Sequence, residues 1–131
     1  MREPTFEIDG WSLEDGETYH AAAPETFWIP SRQKRESLQP GDLVKLIFRI
    51  SVDDADESIA VERMWVLVRE RIVGGYLGML NNEPSAIAAN EEFWLGTELP
   101  FSAKHVINIE EKDENTVALA REEPRRRWPK Q

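Results

Sequence analysis

The segment from Glu62 to Pro84, ERMWVLVRERIVGGYLGMLNNEP, places the strongest constraint on the fold of this chain. Val61 to Arg69 is rich in β-branched and aromatic residues, which pack well on a pleated surface. Gly74-Gly75 can adopt positive φ at little cost, so we expect the chain to reverse there. Tyr76 to Leu80 then provides a return strand, in which Gly78 indicates a bulge, a bend or a close backbone approach. The segment therefore predicts a β-hairpin.

Apolar residues occupy both faces of the first hairpin strand. Side chains alternate along a strand, so Met64, Val66 and Val68 share one face, and Trp65 and Leu67 share the other. A strand of this kind is covered on both sides or closes a small barrel. We therefore place it in the middle of the sheet.

Residues 43–52 form a second strong strand. Its even-numbered positions, Val44, Leu46, Phe48 and Ile50, are uniformly apolar and are predicted to face the core. Further strands are expected at 61–71, 75–81 and 104–109, and short helices at 31–38 and 111–122. The predicted fold is mainly β (α+β at the margin): a strongly bent antiparallel sheet or a partly open SH3-like barrel with one or two short peripheral helices.

The N-terminal part has weaker patterns. Residues 6–8 and 11–13 are expected to be short strand pieces, and residues 18–24 a loop. Residues 26–29 predict an edge strand or an apolar plug that ends at a proline. In the helix at 31–38, the cations Arg32, Lys34 and Arg35 are expected to face water.

The buried residues are predicted from the same alternation. Trp65 is expected to be mostly buried on the face opposite the main core. The predicted core is Phe27, Ile29, Val44, Leu46, Phe48, Ile50, Met64, Val66, Val68, Leu77, Leu80, Phe101, Val106 and Ile109.

Length and charge bound the remaining possibilities. The chain has 131 residues, which suits one β-rich domain over 1–123 followed by a basic, disordered tail over 124–131 with an exposed Trp128. The net charge of −9 disfavours nucleic acid and anionic lipid and favours a basic partner. The chain contains no cysteine, which excludes disulfides and thiolate chemistry. The first residues lack the apolar run of a signal peptide, so a cytoplasmic location is expected.

Four ordered motifs resemble a known family. They are Gly41 to Phe48, Glu62 to Val66, Gly78 to Pro84, and Gly96 through His105-Val106. Together they are similar to the bacterial proteins grouped as DUF2314, a domain of unknown function, over about residues 38–109. The resemblance implies a small strand-rich bacterial domain. It brings no catalytic residues with it.

The chemistry of catalysis has little support in the sequence. No GxSxG elbow and no phosphate-binding glycine loop occurs. His105 could act as a base at the start of a strand, although a packed or surface histidine is the commoner role. The acidic run Asp53, Asp54, Asp56 and Glu57 lacks the spacing of an EF-hand. We predict no catalytic residues, no metal and no cofactor.

A binding site is predicted at the end of the hairpin. Its candidate residues are Arg63, Trp65, Asn82, Glu83 and Pro84, because a polar, proline-stiffened turn beside an arginine offers donors and acceptors to a partner. Packing of Trp65 and local capping by the asparagine side chains explain the same residues without a ligand. Although tryptophans are more often core, a ligand groove could instead be lined by Trp11, Trp28, Trp65 and Trp94. His105 completes the candidate set.

Three classes of function remain open. The first is a non-catalytic binding module that recognises a protein. The second is an immunity-like acidic inhibitor of a basic protein, and the third is an enzyme that uses carboxylates and His105. The oligomeric state does not follow from the sequence.

Overall fold

A computed structural model describes residues 2–51, 59–81 and 96–128 of the chain. Within these ranges six strands form one antiparallel, strongly curled half-barrel sheet with a few short helices around it, which confirms the predicted fold class. No helix in these ranges is long and apolar enough to cross a membrane. The elements in order are α1 (Phe6–Asp9), β1 (Trp11–Leu13), α2 (Gly16–Ala22), α3 (Arg32–Glu36), β2 (Leu43–Ser51), β3 (Ile59–Ile72), β4 (Gly75–Leu80), β5 (Glu98–Phe101), a 3-10 helix (Ala103–His105), β6 (Asn108–Glu110) and α4 (Glu114–Ala120).

The predicted hairpin is the centre of the sheet. The strand order is β1-β2-β3-β4-β5, and β6 pairs with β2 beyond the end of β1. The β3–β4 turn contains Gly74 with φ of 83°, a conformation that favours glycine. A bulge lies in β3 between Val68 and Glu70, opposite β4. Gly78 is needed for close approach, because a Cβ there would lie 2.8 Å from the carbonyl oxygen of Leu67.

The core lies on the predicted faces of β2 and β3. Most of the predicted core residues are buried in one cluster, which also contains Trp11, Tyr76 and Leu99. Ile29 is buried in a second cluster on the other side of the sheet, with Ile47 and Ile107. The predicted core members that are only partly buried are Phe27 and Ile109.

The prediction for the N-terminal segment was wrong in two places, because short helices there depend on caps rather than on apolar periodicity. Thr5 accepts a hydrogen bond from the backbone of Ile8, which starts α1 where a strand piece was expected. Asp15 accepts from the backbone of Glu17 and Thr18, which starts α2 where a loop was expected. The strand at 11–13 is confirmed.

One expectation about α3 was also wrong. Arg35 is buried rather than facing water. Its guanidinium donates to the carbonyl oxygens of Pro30 at 2.9 Å and Ala103 at 2.8 Å, and pairs with Glu17 at 2.7 Å. A buried cation is tolerated when its donors are satisfied in this way.

The structure also corrects the strand predicted at 104–109, where the 3-10 helix and the short β6 lie instead.

The C-terminal segment is placed against the sheet up to residue 128. Arg126 forms a parallel bridge with Thr97, and the backbone of Arg125 donates to Gly96. Trp128 is buried, not exposed as predicted, and its ring meets that of Trp11 in β1 edge-on at 5.7 Å. The segment thus spans the gap between β5 and β1. We call residues 125–128 the seam.

Candidate functional site

The face of β2 and β3 that points away from the main core carries an unusual set of side chains. Lys45 lies opposite Trp65, and Ile47 lies opposite Arg63. Lys45 and Arg63 are therefore diagonal neighbours on one face of an antiparallel pair, about 7 Å apart at their Cβ atoms. Two cations thus stand side by side in a protein with a net charge of −9.

Both cations line one small cavity, which we call the cation cavity. Its volume is about 200 Å³. Lys45 Nζ lies 4.9 Å from the ring centre of Trp65, and Arg63 Cζ lies 5.4 Å from that of Phe27. Neither cation forms an ion pair with a carboxylate in the described ranges. The lining residues include no acid and are Thr26, Phe27, Trp28, Lys45, Arg63, Ile107 and Asn108.

Trp28 is the most exposed aromatic residue of this region, with 68% of its surface accessible. Its neighbours explain this position. Phe27 stacks on Tyr19 at 5.3 Å, and its carbonyl oxygen lies 2.7 Å from Nδ1 of His20. Ile29 is buried under the sheet. The contacts of Phe27 and Ile29 fix the backbone on both sides of Trp28. This position of the backbone keeps the indole exposed to solvent.

A larger groove continues from the cation cavity. It has a volume of about 570 Å³ and shares Trp28 and Asn108 with the cavity. The Oδ1 atom of Asn108 accepts from the backbone of Ile109 at 2.9 Å, which leaves the amide nitrogen turned to other acceptors. The groove is lined by Trp28, Pro30, Lys34, Ser37, Leu38, Gln39, Asp42, Asn108, Ile109, Glu111 and Lys112.

The predicted site residues do not all meet at one place. Arg63 and Trp65 share the face just described, and Trp65 is mostly buried there, as predicted. Asn82, Glu83 and Pro84 lie outside the described residues, as does the acidic run at 53–57.

His105 lies away from this face, in the 3-10 helix that contacts α2 and α3. It is buried, and its Nδ1 accepts from the backbone of Ser102 at 3.0 Å. Burial lowers the pKa of His105 to about 4, while the carboxylates of Glu3 and Asp15 act weakly in the opposite direction. The neutral ring therefore serves as a local cap near neutral pH.

Sequence reasoning missed Lys45, Phe27 and Asn108 as members of the site, and it considered Trp28 only as one of four tryptophans that could line a groove. The alternation of β2 did place Lys45 on the outer face, and its pairing with Trp65 needed only the strand register. Trp28 could not be assigned, because an apolar segment before a proline looks the same whether its tryptophan is buried or exposed.

The residues of the described ranges include no group of three or more histidine, aspartate or glutamate side chains placed to hold a metal ion. Comparison of the chain with family models, with curated proteins and with solved structures gives no match. The resemblance to DUF2314 therefore stays a prediction.

Proposed function

We propose that this protein is a non-catalytic binding module, and that it binds a protein partner through the outer face around Trp28. The observation that carries the proposal is the indole of Trp28, exposed at the junction of the cation cavity and the larger groove. An indole held in solvent by anchored neighbours loses little conformational freedom when a partner covers it. Tryptophan and arginine are also the residues that most often dominate binding energy.

The surroundings of Trp28 support the same function. The lining of the groove combines apolar residues such as Ile109 with polar side chains such as Gln39 and Asn108. Protein interfaces likewise combine apolar contact area with groups that form hydrogen bonds. An enzyme that uses His105 has less support, because its ring is buried and its Nδ1 is already bonded to the backbone.

An acidic inhibitor of a basic protein is the second candidate. It is favoured by the exposed carboxylates of Glu110, Glu111, Asp113 and Glu114 between β6 and α4. A basic partner would bind this acidic surface without contacting Trp28. A partner that binds there would be released by salt and retained by a variant of Trp28, which separates the two candidates.

The proposal is tested by capture from the native cell with the full chain as bait. Trp28→Ala removes an exposed side chain and is expected to leave the melting temperature unchanged. The matched control is Val73→Ala, which removes an exposed apolar side chain at the β3–β4 turn. We expect one or more proteins to be captured by the unaltered chain and by Val73→Ala, and to be lost from Trp28→Ala.

Two results would contradict this proposal. One is a set of captured proteins that is the same for all three baits. The other is equal loss from both variants, which would show a general effect of surface hydrophobicity.

A further inference from the structure

We propose that the cation cavity binds carboxylate side chains of an acidic peptide segment. This inference rests on the proposed function and names the chemistry of the partner. It depends on a different observation from the exposure of Trp28, namely the two cations that share a cavity with no acid among its described lining residues.

The first argument is electrostatic. Like charges placed diagonally across two strands repel each other, and proteins commonly relieve such repulsion with a nearby carboxylate. Acids outnumber bases 25 to 16 in this chain, yet among the described residues none lines the cavity around Lys45 and Arg63. Two other cations on the central strands are paired with acids: Arg49 with Glu14 at 3.1 Å, and Arg69 with Glu98 at 3.2 Å. Because the described part of the chain supplies no carboxylate to Lys45 and Arg63, we expect the counter-charge to come from a ligand.

The second argument concerns the side chains that hold the cations. The ring of Trp65 lies beneath Lys45 and that of Phe27 beneath Arg63. Cation–π contact orients the charged groups while leaving their N–H donors available. An arginine fork matches the two oxygens of a carboxylate, and a lysine adds a point charge beside it. The hydroxyl of Thr26 and the amide of Asn108 lie in the same lining and provide further donors.

The third argument is size and continuity. A cavity of about 200 Å³ holds a single short side chain rather than a drug-sized ligand, since such ligands occupy cavities of about 300–1,000 Å³. The groove beside it extends past Lys34 and Lys112, so a chain that inserts one carboxylate can continue along the surface. The occupant is therefore a side chain of an extended peptide.

The net charge of −9 opposes an acidic ligand at long range but not at contact. At physiological ionic strength the Debye length is about 8 Å, so distant acids are screened while the two cations in the cavity still act. We therefore expect binding to be measurable at physiological salt. Lowering the salt concentration should strengthen binding of the acidic peptide less in this protein than in a protein with a net positive charge.

The test is a nuclear magnetic resonance titration of the isotope-labelled full chain with an acetylated and amidated hexaglutamate peptide. A hexaglutamine peptide of the same length is the uncharged control, and a short single-stranded thymidine oligonucleotide represents a phosphate ligand. We expect hexaglutamate to shift the amide signals of Lys45, Arg63 and Asn108, and hexaglutamine to leave them unchanged.

Variants then assign the binding to the cavity. Arg63→Gln and Lys45→Gln are each expected to weaken hexaglutamate binding by about tenfold or more, since each removes a charge-assisted hydrogen bond. The matched control is Arg71→Gln, because Arg71 is an exposed arginine over the ring of Tyr76 at 5.8 Å on another part of the sheet. Its loss should leave the affinity unchanged. The amide spectra of the variants report whether each remains folded.

The outcomes separate clearly. Shifts spread over the whole surface, equal effects of Arg71→Gln and Arg63→Gln, or equal binding of hexaglutamine would overturn the inference. Tighter binding of the oligonucleotide at the cavity would replace the carboxylate with a phosphate. If hexaglutamate fails but a cellular partner is still lost from Trp28→Ala, the binding function stands and the carboxylate chemistry is wrong.

Discussion

Glu98 joins the seam to the rest of the sheet, and its replacement should be among the most destabilising single changes. Its side chain is 2% exposed. One oxygen accepts from Arg69 at 3.2 Å, and the other accepts from the backbone nitrogen of Trp128 at 3.0 Å. Arg69 is the residue at the bulge in β3. The side chain of Glu98 therefore satisfies one partly buried cation and one buried backbone donor.

The cost of Glu98→Ala follows from these two contacts. Loss of the charge-assisted hydrogen bond to Arg69 costs about 1.5–3 kcal/mol. The Arg69 guanidinium does not incur its full desolvation penalty, because the carbonyl oxygens of Ala120 and Glu122 still accept hydrogen bonds from it. The orphaned backbone donor of Trp128 adds about 1–3 kcal/mol. We expect the free energy of unfolding to fall by about 3–5 kcal/mol, in agreement with the usual cost of breaking a buried pair.

The assay is urea unfolding at neutral pH, followed by tryptophan fluorescence. Glu98→Gln keeps an oxygen for the backbone of Trp128 but replaces the charged acceptor of Arg69 with an amide donor, so it should cost about 1.5–3 kcal/mol. Glu36→Ala breaks an exposed pair on α3 and should leave the unfolding midpoint unchanged. A loss below about 1 kcal/mol for Glu98→Ala would refute this reasoning. Equal losses for the alanine and glutamine variants would show that the contact with Trp128 contributes nothing.

Three further predictions concern the core, the sheet and pH. Phe48→Ala should lower the free energy of unfolding by about 3–5 kcal/mol in the same assay, because the ring is fully buried; a nearly unchanged midpoint would contradict the assignment of the core face. Gly78→Ala should cost about 1–3 kcal/mol or more through contact with Leu67 and Val66, and wild-type stability would argue against the close approach. Because the pKa of His105 is lowered in the folded state, the unfolded state binds a proton first as the pH falls. The stabilisation by the neutral ring is therefore complete above about pH 6.5, and the free energy of unfolding falls by about 3 kcal/mol toward pH 4. His105→Asn, which keeps an acceptor near Nδ1, should show a smaller loss of stability between pH 7 and pH 4.5; an identical loss would exclude His105 as the cause.

The parts of the fold that depend on alternation were predictable, and those that depend on distant partners were not. The faces of β2 and β3 follow from the order of apolar residues, so Val66 and Phe48 could be placed in the core. The burial of Arg35 depends on carbonyl oxygens of Pro30 and Ala103, and no local pattern records them. Trp128 was assigned to a disordered tail because a run of arginines precedes it.

The candidate site likewise combines residues that local alternation predicts with residues that only the tertiary structure brings together. Arg63 and Trp65 were singled out from one strand, and the register of two strands was needed to bring Lys45 beside them. Phe27 and Trp28 reach the site from a loop. Its course depends on contacts with Tyr19 and His20 that lie outside any periodic pattern.

The seam also brings residue 128 next to residue 2. The guanidinium of Arg2 lies over the ring of Trp128, 4.5 Å from its centre, and is fixed there by Asp9. During synthesis, the contact of Trp11 with Trp128 therefore forms only after residue 128 has left the ribosome. Domains fused before residue 2 and after residue 128 would leave the molecule from the same spot and would crowd one another.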